Sequence, residues 1–160
     1  MTAYLFLPNN TDPPFQTVVH FPSAIPFFTP SSQHLELSEV NFFVRSGRAV
    51  LFPVYKGTYE RIIPNLIYGG PMPVTSRDFW IHVAKDLRRS VDYLHTRPDV
   101  DFERLAFHGH SQGGIQGPVM TAIEDRFKAS ILYAGGLYTG PALLPEVDPL
   151  NFAPRVRVPR

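Results

Sequence analysis

The five residues Gly109-His110-Ser111-Gln112-Gly113 have the types and spacing to do chemistry. A serine hydroxyl is a weak nucleophile. It acts when the backbone lifts it clear of its own strand and sets N–H groups where negative charge will develop. Ser111 meets that condition at the apex of a sharp turn, where Gly109 and Gly113, lacking Cβ atoms, let the chain on either side approach closely. The apolar run 105–108 precedes the turn and a helical segment begins at Gln112. Strand, turn with serine at its apex, helix: this is the context of a nucleophile elbow, with the Gln112 N–H free to donate to an oxyanion at a helix N-terminus. The plain alternative is a glycine-rich strand-to-helix turn with an idle serine.

A serine of this kind needs a base, and the base needs an orienting acid. The six histidines, at positions 20, 34, 82, 95, 108 and 110, all precede Ser111. His110 lies inside the elbow, where its side chain points away from the crevice. His108 and His110 have the spacing of a metal pair, but the turn at Gly109 breaks the strand alternation, so they read as packed histidines and no metal is expected. His20, on the neighbouring strand, lines the crevice or is a satisfied core histidine. His34, His82 and His95 read as surface or helix residues. Among the later carboxylates Glu124 and Asp125 close a helix. Asp148, before Pro149, is either a candidate acid or a turn residue bonded to backbone. Tyr55, Lys56, Tyr59 and Arg61 line the crevice or pack their own loop.

The elements that must position these groups follow from apolar patterning. Strands are predicted at 3–7, 16–21, 49–54, 105–108 and 129–134, the first two joined by a short turn and read as an antiparallel pair. Helical spacing covers 35–45 through Leu37, Val40, Phe43 and Val44, and covers 75–96 through Trp80, Val83, Ala84, Leu87, Val91 and Leu94. A third helix runs from Gln112 to about Glu124. Residues 55–74 form a long loop, and loops of that length in a compact domain usually carry function. Alternating strands and helices make an α/β fold with a mostly parallel sheet of about five strands and helices on both faces. In such sheets the site lies outside the carboxyl ends of the strands, where Ser111 and the loops after residues 21, 54 and 134 converge.

The 160 residues suffice for one domain. A net charge of +1 implies no polyanionic partner, so nucleic acid is not expected. The sequence has no cysteine, which excludes disulfides and thiolate chemistry. No apolar run is long enough for a membrane span and no signal-peptide pattern opens the chain, which favours the cytoplasm. No cofactor motif is visible.

From residue 4 to its last residues the chain resembles the α/β-hydrolase superfamily. The stretch Asp101…Arg104…Gly109-His110-Ser111-Gln112-Gly113-Gly114 is similar to the elbow region of dienelactone-hydrolase-like and prolyl-oligopeptidase-like enzymes, and Phe127-Lys128-Ala129 up to Gly135-Gly136 to the strand after it. The resemblance implies Ser111 as nucleophile and a small-molecule ester as substrate. It implies Gln112 as one oxyanion donor and Ser23 or Ala24 as the other, although many relatives have glycine at the place of Ser23. In that superfamily the acid and then the histidine follow the nucleophile; here no histidine follows Ser111. The chain therefore reads as one partial α/β-hydrolase domain, residues 1–160, truncated before its acid and base. Weak esterase activity is expected, with a prolyl-oligopeptidase-like peptidase or a non-catalytic remnant as alternatives. An unpaired edge at 129–134 predicts self-association.

Overall fold

The computed structural model describes residues 1–64, 74–137 and 144–158. Five strands, β1 (Ala3–Phe6), β2 (Phe15–Phe21), β3 (Ala49–Pro53), β4 (Val100–His110) and β5 (Phe127–Tyr133), form one sheet in the order β1-β3-β2-β4-β5. The pairs β3–β2, β2–β4 and β4–β5 are parallel; β1 runs antiparallel to β3. The sheet is mostly parallel, as expected, with β4 between β2 and β5 and with β3 outside β2.

One pairing differs from expectation. β1 and β2 are adjacent in sequence but not paired: β1 crosses over to β3, with Tyr4 opposite Phe52 and Phe6 opposite Val50. Exposure explains the choice. All but one of the residues of β2 are buried, so it needs a neighbour on each side, whereas β1 is half exposed and suits an edge. β3 is buried throughout, and its Pro53 stands at its last position, where a lost ladder donor costs least.

Strand alternation sends two apolar sets to opposite faces. On one face Val19, Phe21, Leu51, Leu105, Phe107 and Phe127 pack under helix α2 (Val74–His95) and helix α3 (Gln112–Ile123). On the other face Val18, Val50 and Phe52 pack under Val40 and under Phe43 of the short helix α1 (Asn41–Arg45), which Val40 precedes. The single helix expected over 35–45 is broken. Two 3₁₀ turns, Ser32–His34 and Leu37–Glu39, precede α1. Tertiary hydrogen bonds override the helical spacing here. Glu60 accepts from both the N–H (2.7 Å) and the hydroxyl (2.9 Å) of Ser32, and Glu36 accepts from Ser23. Leu37, one of the residues that suggested the helix, is 46% exposed.

Helix α2 replaces the expected 75–96 segment almost residue for residue, its Trp80, Val83, Leu87, Val91 and Leu94 all buried. A short helix α4 (Pro149–Phe152) packs against α3. Of the expected loop at 55–74, the part beyond 64 lies outside the described residues, as does 138–143 of the loop after β5.

Candidate active site

Ser111 stands between the last residue of β4 and the first of α3. Its backbone has φ 50° and ψ −104°, a conformation that an L-residue holds only when its surroundings impose it. Those surroundings can be named. The Ser111 N–H donates to the carbonyl of Tyr133 on β5 (2.9 Å), and the Gly113 N–H donates to the carbonyl of Pro22 after β2 (3.1 Å). The Ser111 carbonyl accepts from Ile115 N–H (2.8 Å), starting the helix. A Cβ on Gly109 would come within 2.3 Å of the Gly113 carbonyl oxygen, and one on Gly113 within 2.2 Å of the Phe21 carbonyl oxygen. Both glycines are therefore demanded by close backbone approach. Ser111 is partly exposed, and its hydroxyl has no hydrogen-bond partner among the described residues.

Gln112 is the first residue of α3, so its N–H has no acceptor within the helix. Ser23, 5% exposed, lies in the loop after β2. Its Oγ donates to Glu36 Oε2 (2.9 Å) and accepts from Ile25 N–H (3.2 Å). Ala24 caps a 3₁₀ turn through its carbonyl, which accepts from Phe27 N–H (3.1 Å). The Gly113–Pro22 bond ties this loop to the elbow.

The histidines around the elbow form a connected system on the α1 face. His20 Nδ1 and His108 Nδ1 are 2.9 Å apart; His20 Nε2 is 3.1 Å from Glu39 Oε2; His110 Nδ1 is 2.6 Å from Glu39 Oε1. Burial holds His20 below its usual range, against the opposing pull of Glu39. Burial also lowers His108 to about 4, with repulsion from His20 adding to it. Both rings are thus neutral near pH 7, and their tautomers follow. A carboxylate only accepts, so His20 Nε2 donates to Glu39. His20 Nδ1 must then accept, and His108 Nδ1 donates to it. The Glu39 contact is a neutral N–H on a carboxylate, stronger than a hydrogen bond between neutral groups but not an ion pair. Burial pushes the Glu39 carboxyl up, yet the hydrogen bonds from His20 and His110 outweigh it and hold the group down at about 2.

The remaining site residues from the sequence are placed as follows. His20 is fully buried and engaged at both ring nitrogens, by His108 and by Glu39. Tyr55 is also fully buried; its ring stacks on Phe21 and its hydroxyl donates to the His20 carbonyl (3.0 Å). Asp148 caps α4, its carboxylate accepting from Leu150 N–H (3.0 Å). Among the described residues no cluster of histidines and carboxylates could hold a metal ion, and no helix is long and apolar enough to cross a membrane. Glu39 is the residue that sequence reasoning missed. It lies in a segment read as an amphipathic helix, and nothing local marks it as the partner of a histidine far along the chain.

No family model and no curated protein matches the sequence. Solved structures match the architecture. A protein assigned as a dienelactone hydrolase from Klebsiella pneumoniae superposes with a TM-score of 0.67 at 21% identity, over 98% of this chain and 63% of that one. An acetyl xylan esterase from Paenibacillus sp. R4 gives 0.62 at 21% identity, over 96% and 52%. A protein assigned as dipeptidyl aminopeptidase IV from Bacteroides ovatus gives 0.68 at 16% identity, over 98% and 24%. The chain therefore spans less than two thirds of the length of each of these structures.

Proposed function

We propose that this chain, which has the α/β-hydrolase fold, carries the nucleophile of a serine hydrolase acting on carboxylic esters through an acyl-enzyme on Ser111. The observation that carries the reading is the backbone of Ser111, at φ 50° on a strand-to-helix turn whose two glycines admit no side chain. Strain of this kind persists at sites where it serves a reaction. In the proposed reaction Ser111 Oγ attacks the ester carbonyl carbon and gives up its proton. The Gln112 N–H, with an N–H of Ser23 or Ala24, receives the oxyanion. Collapse breaks the bond to the leaving alcohol, which takes a proton, and water then releases the acid and restores Ser111. The likeness to the acetyl xylan esterase supports an ester substrate. The likeness to the Bacteroides protein supports a peptidase as the second reading, in which the same attack falls on an amide.

No described histidine bonds Ser111, and His20, His108 and His110 are committed to Glu39 or to one another. Turnover by these 160 residues is therefore expected to be weak, about 10³–10⁴ over water from oxyanion stabilisation and binding alone. The test is a short-chain aryl ester assay together with fluorophosphonate labelling. Slow labelling that disappears in Ser111→Ala is the expected result. Labelling that survives Ser111→Ala overturns the nucleophile assignment. Robust turnover lost in both Ser111→Ala and His20→Ala would show that the chain carries its own base. Faster cleavage of aryl amides than of esters would favour the peptidase.

We also propose that copies of the chain associate along β5. Among the described residues this strand has one sheet neighbour, with Ile131 44% and Tyr133 64% exposed. Paired Ile131→Lys and Tyr133→Lys changes should shift the chain to monomer in sedimentation velocity; a wild-type monomer at high concentration overturns the proposal.

A further inference from the structure

We propose that Glu39 is the positioning residue of the Ser111 turn: its carboxylate ties His110, the neighbour of Ser111, to β2 and to the loop that follows it. The inference rests on the hydrolase reading for its effect on reactivity, but not for its geometry. One carboxylate oxygen of Glu39 receives His110 Nδ1 at 2.6 Å and the other receives His20 Nε2 at 3.1 Å. The two imidazoles come from different strands, β4 and β2, so a single side chain spans the junction at which the turn is held.

Glu39 is itself held in place. It ends the 3₁₀ turn Leu37–Glu39, whose first bond runs from Glu39 N–H to the Glu36 carbonyl (3.1 Å). The Glu36 carboxylate is held in turn by Ser23 Oγ at 2.9 Å. A continuous path therefore runs from Ser23 through Glu36 and Glu39 to His110. It joins the loop proposed to give one oxyanion donor to the turn that presents Ser111 and the other donor. A strained residue keeps its conformation only when several independent contacts determine it. The turn has backbone contacts to Tyr133 and Pro22, and the His110 side chain adds a hydrogen bond to Glu39 and a ring stacked on Tyr133.

A purely structural carboxylate would change stability and leave the reactivity of the folded protein unaltered. A positioning carboxylate changes the reactivity of Ser111 in protein that is still folded. The experiment uses the whole chain with Glu39→Ala and Glu39→Gln, at a temperature where circular dichroism shows each variant folded. It takes two readings: the second-order rate of fluorophosphonate labelling at Ser111, and the imidazole tautomers by long-range nitrogen–proton NMR. The wild type is expected to show His110 with its proton on Nδ1. Glu39→Ala should move that proton to Nε2 and slow labelling tenfold or more. Glu39→Gln, which keeps one acceptor oxygen, should slow it about threefold.

A labelling rate within twofold of wild type in Glu39→Ala, or an unmoved His110 tautomer, overturns the proposal. If Glu39→Ala does not fold, Glu39→Gln decides by the same readings: an unchanged rate together with an unchanged tautomer is then the overturning result. If the wild type does not label at Ser111, the hydrolase reading fails by itself. The positioning role is then judged by the tautomer and by the Ser111 and Gly113 amide shifts in Glu39→Ala, and unmoved signals overturn it.

Discussion

On the α2–α3 face of the sheet Val19, Phe21, Leu105, Phe107 and Met120 close-pack without a carboxylate or imidazole among them. On the α1 face the same two central strands present His20 and His108, joined to Glu39 and His110. The apolar core of the first face is held by area and volume, which are indifferent to direction and to pH, with the pairs Arg61–Asp86 and Arg126–Glu124 at the helices that cover it. The second is held by hydrogen bonds that depend on direction and on which nitrogen carries a proton. The difference explains a division of labour. Apolar packing brings β4 between β2 and β5, but packing alone does not set the angle at which the end of β4 turns. The polar face reaches the turn through His110.

The largest expected effect breaks the apolar face. Phe107→Ala should cost about 3–5 kcal/mol through lost burial and the cavity left behind. The loss, measured by urea unfolding, should be the same at pH 7 and pH 5. A strongly pH-dependent loss would mean that the two faces are coupled and the contrast is mistaken.

The next effect sharpens the contrast from the other side. In the folded chain His108 titrates at about 4, below its ordinary value of 6.5, because burial and His20 disfavour its charge. The fold therefore favours the neutral ring. The corresponding stability is fully present above pH 6.5 and is lost as pH falls from 6.5 through about 4. It amounts to about 3 kcal/mol for His108, with His20 acting in the same direction. The titratable groups around this ring are His20, Glu39 and His110; the rings of Phe42 and Phe43 pack edge-on against it, and it lines a cavity with Ile131 and Tyr133. His108→Gln should flatten the stability profile between pH 6.5 and 4. An unchanged slope in that variant would assign the acid sensitivity elsewhere.

The smallest effect lies at the seam. Tyr55 packs its ring on Phe21, on the apolar side, and donates its hydroxyl to the His20 carbonyl. Tyr55→Phe keeps the ring and removes the donor, so about 1 kcal/mol is expected. A loss several times larger, with a moved His20 NMR signal, would show that the seam transmits between the faces.

Much of the architecture was legible because it is written locally. The buried runs at 49–54 and 105–108 have no alternation, the mark of parallel strands covered on both faces. The stripe from Trp80 to Leu94 has a period of one helical turn. The glycines around Ser111 announce a close approach whatever else surrounds them. The pairing of β1 was not legible, since chain proximity favours β2 and only the demand of a β2 buried at all but one residue for two parallel neighbours sends β1 outward. The segment 35–45 misled for a related reason. Its apolar spacing is helical, but Ser23 and His20 bond the carboxylates of Glu36 and Glu39, and two short 3₁₀ turns come before α1.

By itself, then, the sequence determined the α/β pattern, the strand-to-helix turn at Ser111 and the need for glycine on either side of it, because each depends on residues within a few positions of one another. Tertiary structure alone decided that His20 and His108 share a proton across two strands, and that Glu39 meets His110 from 71 residues away. Such contacts leave no periodic trace in the chain. They come into being only when the sheet order and the bend after residue 34 carry the groups to the same place.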